Sequence, residues 1–192
     1  MINSLYEPFR SMWSSVGTIY LYSDTHFDED DDLRNIYPNR PSAEEQVKSI
    51  NSKVGKCDTI IFLGDVGNIE WMKKVRGHRI LVAGNHDKGM SNYESAFEYI
   101  FSGPIIISEK IILSHEPIKI PGLYNIHGHN HQGQQFAQGS MNVCSDVINY
   151  IPVNFNQFIK SGHLKEIETL HRITIDKQTD NKRKRLAKGK MK

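Results

Sequence analysis

Five times along this 192-residue chain, an apolar and largely β-branched run stops at a cluster of Asp, His, Asn and Gly. Thr18–Ser23 ends in Asp24-Thr25-His26, Thr59–Leu63 in Gly64-Asp65, and Arg79–Val82 in Ala83-Gly84-Asn85-His86-Asp87. Lys110–Ser114 ends in His115-Glu116, and Tyr124–His127 in Gly128-His129-Asn130-His131. These runs, with Pro104–Ile107, read as buried strands. In open α/β sheets, ligands bind just beyond the carboxyl ends of strands, where the loops converge. The repeated placement therefore predicts an α/β chain with one polar site assembled from strand ends.

Helical patterns lie between the early strands. Ser42 is the N-cap of a helix running to about Val54, and Glu45 completes a capping box. Shorter helices are predicted over Ile69 to Val75, Tyr93 to Tyr99 and Asn154 to Ile159, and a helix or strand over Leu164 to Ile175. The alternation implies a βαβ first half with parallel strands. From Pro104 onward, short connections predict an antiparallel second sheet. Residues 1–175 form one domain of ample length for a core, with Phe9 and Trp13 available to pack on it.

Composition narrows the function classes. A hydrophobic fraction of 38% and a charged fraction of 24% are those of an ordinary globular protein. No stretch approaches the ~18 apolar residues needed to span a membrane, and no basic-then-apolar leader opens the sequence. The two cysteines, Cys57 and Cys144, lie far apart without a partner motif. That excludes a disulfide scaffold or cysteine zinc site and fits a reducing, cytosolic setting. Residues 177–192 hold eight Lys/Arg and one Asp, a local charge of +7 within a net +2, so the body carries −5. With almost no apolar content, 176–192 is predicted to be a disordered tail.

Spacing sharpens the site. Asp24 and His26 are two apart, as are His129 and His131, and in extended backbone such pairs point the same way. Gly84 permits a tight turn that lets adjacent Asn85 and His86 face one cavity. The donors are carboxylates, imidazoles and one amide, with no thiolate. That set suits Mn²⁺ foremost, or iron, Ni²⁺ or Zn²⁺, better than Ca²⁺ or Mg²⁺. The seven candidates, Asp24, His26, Asp65, Asn85, His115, His129 and His131, are too many for one tetrahedral ion and suit two ions sharing a carboxylate.

In these residues the chain resembles the calcineurin-like metallophosphoesterase superfamily, with its ordered pattern D-x-H, G-D, G-N-H-D/E, H and G-H-x-H. The match runs from about Thr18 to Val147, and Asp-Thr-His-Phe and Ser-His-Glu-Pro are similar to small bacterial and phage-type members. The resemblance implies a two-sheet β-sandwich flanked by helices, a four-layer αββα arrangement. It implies that Asp24, His26 and His131 hold one metal, that Asn85, His115 and His129 hold the other, and that Asp65 bridges both. Two such ions lower the pKa of a shared water and bind phosphate oxygens. His86, left without a metal, then serves the leaving group, and Asp87 supports the turn. Many relatives carry an acidic residue where this chain has Asn68, which can orient His86 but cannot stabilise its cation as a carboxylate would.

The implied activity is hydrolysis of a phosphodiester or phosphomonoester, with the diester favoured and a nucleotide, nucleic-acid end or small phosphoester as substrate. The rival reading is a non-catalytic, metal-stabilised module whose basic tail binds nucleic acid. The tail reads equally as a solubilising terminus. Arg40 is either a phosphate contact or a plain loop arginine, and the acidic run Asp28–Asp32 a solvated loop or an overhang that repels polyanions. His127 is expected in the core or supporting the site, Cys144 in the core, and His78, His163 and His171 at the surface.

Overall fold

In the computed structural model, which describes residues 17–28, 31–169, 178–179 and 181–183, β1 (Ile19–Tyr22), β2 (Thr59–Phe62), β3 (His78–Val82) and β4 (Tyr99–Phe101) run parallel in one sheet. The second sheet is built from β5 (Ile105–Ser108), β6 (Ile111–Leu113), β7 (Tyr124–His127), β8 (Phe136–Ala137) and β9 (Ser140–Asn142), in the order β5-β6-β7-β9-β8. A last strand, β10 (Val153–Asn154), returns to pair antiparallel with β1.

Continuous apolar runs form the central strands because both faces of the first sheet are covered. Leu21, Ile61, Leu63, Ile80 and Val82 face the second sheet, meeting Ile105, Leu113, Ile126, Met141 and Val143. The alternate residues Tyr22, Ile60, Phe62 and Leu81 pack under α2 (Ala43–Lys53) and α3 (Ile69–Met72) through Val47, Ile50 and Met72. The predicted capping box starts α2: Ser42 Oγ accepts from Glu45 N, and Glu45 Oε2 accepts from Ser42 N at 2.9 Å. Two further helices are α1 (Asp31–Ile36) and α4 (Phe155–Lys160), the latter capped by Asn154. The two-sheet sandwich implied by the resemblance is the fold observed.

Several expectations are corrected. Tyr93–Tyr99 is not a helix: a 3₁₀ turn covers Met90–Tyr93, and Tyr99 enters the β4 ladder opposite Ile80. The apolar spacing of Tyr93, Ala96 and Phe97 survives as packing under the first sheet. The second sheet is mixed, with β6, β7 and β9 parallel, because the connection from Leu113 to Tyr124 is long enough to return the chain to the same end. Of the acidic run, Asp28 lies in a turn and Asp31 and Asp32 open α1. Residues 164–169 carry no helix or strand. Phe9, Trp13, His171, the end of the Leu164–Ile175 segment and most of the 176–192 tail lie outside the described residues; the described tail residues, 178–179 and 181–183, are helical where disorder was expected.

Candidate metal centre

The mixed second sheet matters because it sends β6 and β7 to the same edge as β1, β2 and β3, where the sheets join. Ser23 forms an isolated parallel bridge with Cys144, and Ser145 N donates to Ser23 O at 3.0 Å. Two cross-sheet bonds reinforce the seam: His115 Nδ1 donates to Leu63 O at 2.7 Å, and His129 N donates to Asp24 Oδ2 at 2.9 Å. The approach is so close that a Cβ on Gly128 would fall 1.9 Å from Ser23 Oγ and 2.4 Å from Asp24 Oδ2.

Backbone strain is concentrated here. Asp24, His26, Asp65 and His129 all adopt left-handed conformations, with φ of 59°, 40°, 52° and 66°. Each costs a non-glycine residue roughly 1–3 kcal/mol, tolerated where surrounding structure enforces it. The enforcement is visible: Asp24 N donates to Gly64 O and His26 N to Asp65 O, both at 3.0 Å. Asp24 and His26 therefore converge through left-handed turns, not through the extended backbone that their spacing suggested. Gly84 is likewise needed for approach, not for its φ: a Cβ there would lie 2.3 Å from Asp65 Oδ1.

All seven predicted donors come together, in two groups. In the first, Asp24 Oδ1 lies 4.0 Å from His26 Nε2 and 3.7 Å from His131 Nε2, and His26 Nε2 is 3.7 Å from Asp65 Oδ2. In the second, His115 Nε2 lies 2.9 Å from Asn85 Oδ1, 3.1 Å from His129 Nδ1 and 3.2 Å from Asp65 Oδ2. Asp65 Oδ2 belongs to both. Donors each ~2.1 Å from one ion sit ~3–4 Å apart, which is the spacing found.

The chemistry of the donor set fits a cation. Leu63 O is an acceptor, so His115 Nδ1 carries its proton and a neutral ring turns the Nε2 lone pair toward the oxygens of Asp65 and Asn85. Lone pairs facing lone pairs need a positive charge between them. Burial opposes that charge on His115 itself, yet the hydrogen bond to Asp65 and the charges of Asp24 and Asp65 raise its pKa to about 9. In the other group, burial lowers His26 to about 3 despite Asp65, and burial raises the Asp24 carboxyl. Asp24 Oδ1 is buried without a hydrogen-bond partner among the described residues. Buried polar atoms are rarely left so.

The remaining predicted residues are placed as follows. His86 is exposed beside the first group, its ring 5.3 Å from that of His26, and its N–H donates to Asp65 Oδ1 at 2.9 Å. Asp87 accepts three backbone N–H groups, from Asp65 and Gly84 at 2.8 Å and Val66 at 3.0 Å, and so clamps the ends of β2 and β3 together. Asn68, expected beside His86, caps α3 by accepting from Glu70 N at 3.0 Å and donates to Asp28 Oδ2 at 3.2 Å. Arg40 is turned inward: its side chain is 4% exposed and its guanidinium reaches Asp146 and the carbonyls of Asp24 and Thr25. His127 and Cys144 are buried, while His78 and His163 are exposed, His163 stacked on Phe136.

Asp146 was missed. It accepts from His131 Nδ1 at 2.7 Å, and the available signal was the short stretch Met141–Cys144, apolar but for Asn142, ending in Ser145-Asp146.

Two stacked mixed sheets with Asp, Asn and His gathered where their strand ends meet define an α/β protein with a candidate metal centre. The chain matches the family model for calcineurin-like phosphoesterases over residues 17–188 and belongs to that family. Membership supports metal-dependent phosphoester hydrolysis as the general class of activity. The chain is similar to an uncharacterized protein of Methanocaldococcus jannaschii, 31% identical over 173 residues, covering 76% of this chain and 92% of that protein. It shares its fold with a protein of unknown function from Aquifex aeolicus, at a TM-score of 0.64 and 24% identity over 75% of this chain and 98% of that one. Among the described residues, no helix is long and apolar enough to cross a membrane.

Proposed function

We propose that the chain hydrolyses a phosphodiester using two metal ions, with Mn²⁺ the foremost candidate. Asp24, His26 and His131 would hold one ion, Asn85, His115 and His129 the other, and Asp65 Oδ2 both. The observation that carries this reading is the single Asp65 oxygen lying within 3.7 Å of His26 Nε2 and 3.2 Å of His115 Nε2. Bound there, the ions supply a water of lowered pKa and charge stabilisation for the phosphate oxygens.

The chain's own groups supply the rest. Asp65 Oδ1 anchors the His86 backbone, which leaves the imidazole exposed beside the centre, placed to donate a proton to a departing oxygen. Asp28, also exposed, opens the acidic run two residues after His26. Negative charge carried just after the first donor motif favours a singly charged diester over a doubly charged monoester. A small diester or the last phosphodiester bond at a nucleic-acid end meets that requirement.

Metal-reconstituted protein is expected to hydrolyse bis-aryl phosphate faster than aryl phosphate, to require added Mn²⁺ and to lose activity in chelator. Protein that holds two metals yet turns over no mono- or diester contradicts the reading.

A further inference from the structure

Beneath the first group of donors, the segment after α1 and the segment after β9 meet through one buried ion pair. Arg40 and Asp146 are 106 residues apart, and their side chains are 4% and 5% exposed. Asp146 Oδ2 accepts from both Arg40 Nη1 and His131 Nδ1, and Oδ1 accepts from the Tyr150 hydroxyl. Arg40 Nη2 donates to Asp24 O, to Thr25 O at 3.0 Å and to Ser145 Oγ at 3.3 Å. The Tyr37 ring stacks on His131 at 5.9 Å between centroids.

These contacts reach only one side of the centre. They hold the carbonyls around Asp24 and the ring of His131, whereas among the described residues the side-chain contacts of Asn85, His115 and His129 run to one another, to Asp65 and to Leu63. Asp146, by accepting from Nδ1, fixes the His131 tautomer that presents a lone pair at Nε2 toward Asp24 Oδ1. A carboxylate in that position also makes the imidazole a better donor. Arg40 would by itself repel a cation above it, and Asp146 cancels that charge. A buried ion pair contributes little net stability, so its placement calls for another reason.

We infer that Arg40 and Asp146 are positioning residues that set the affinity of one metal, the one assigned to Asp24, His26 and His131, independently of the other. The inference rests on the two-metal reading above. It predicts a split that a general structural role would not produce.

The test uses the full chain, stripped with chelator and titrated with Mn²⁺ by calorimetry and electron paramagnetic resonance. Wild type is expected to bind two ions and give an exchange-coupled spectrum. Asp146→Asn keeps side-chain size but removes the charge, and Arg40→Lys keeps the charge but loses the fork. Each is expected to hold one ion at wild-type affinity and the other ~10–100-fold more weakly, giving the spectrum of an isolated ion. Folded variants that bind both ions as wild type does, or lose both equally, overturn the inference. If Asp146→Asn does not fold, Arg40→Lys decides alone. Wild type binding fewer than two ions would instead sink the two-metal reading itself.

Discussion

Oδ1 of Asp65 accepts the backbone N–H of His86 at 2.9 Å, and this bond turns Oδ2 toward both histidine groups. One peptide group thus orients the shared carboxylate while its side chain stands free. The proposed bridging and proton-donating roles are coupled through the backbone, so mutation can separate them.

His86→Ala retains the N–H and therefore the carboxylate's orientation. Metal content and thermal stability are expected to stay at wild-type levels, while kcat on an aryl phosphodiester falls ~10²–10⁴-fold. Steady-state kinetics beside metal analysis check this. Unchanged turnover would remove His86 from the chemistry.

Asp87→Ala leaves three N–H groups without their acceptor at the ends of β2 and β3. Hydrogen bonds to a charged group contribute ~1.5–3 kcal/mol each and are not additive, so a loss of roughly 3–5 kcal/mol is expected. Urea unfolding of chelator-treated protein measures it. A loss below ~1 kcal/mol would show that other contacts carry the clamp.

Chelator-treated protein is expected to be most stable near pH 6.5 and to weaken on either side. Burial holds His26 at about 3, below its ordinary 6.5, so its contribution is full above pH 6.5 and declines as pH falls toward 3. His115 opposes burial through Asp65 and stands at about 9, so its contribution is full below pH 6.5 and declines as pH rises to 9. Bound Mn²⁺ should take over the role of the His115 proton and flatten the alkaline limb. Thermal melts across pH, with and without Mn²⁺, read both limbs. An alkaline limb indifferent to metal would contradict the convergence of donors on His115.

The donors were legible in the sequence because each sits where an apolar run stops, as Leu63 gives way to Gly64-Asp65 and Leu113 to Ser114-His115. The first-sheet strands β1, β2 and β3 were legible for the same reason. What escaped was short or non-local. β8 and β10 have two residues each, too few to show a period of two. β4 was hidden in the helical spacing of Tyr93, Ala96 and Phe97. The two-residue spacing of Asp24 and His26 pointed to the right pairing through the wrong geometry, since strain imposed by neighbouring loops is not written locally. The inward contacts of Arg40 were not legible because its partner, Asp146, lies 106 residues on.

The central claim is that Asp65 stands between two cations. Crystals soaked in Mn²⁺ and measured at the manganese edge test it most directly. The account predicts two anomalous peaks ~3.5–4 Å apart, one on either side of Asp65 Oδ2, and neither in Asp65→Asn. A single peak, or two that leave Asp65 untouched, would contradict it.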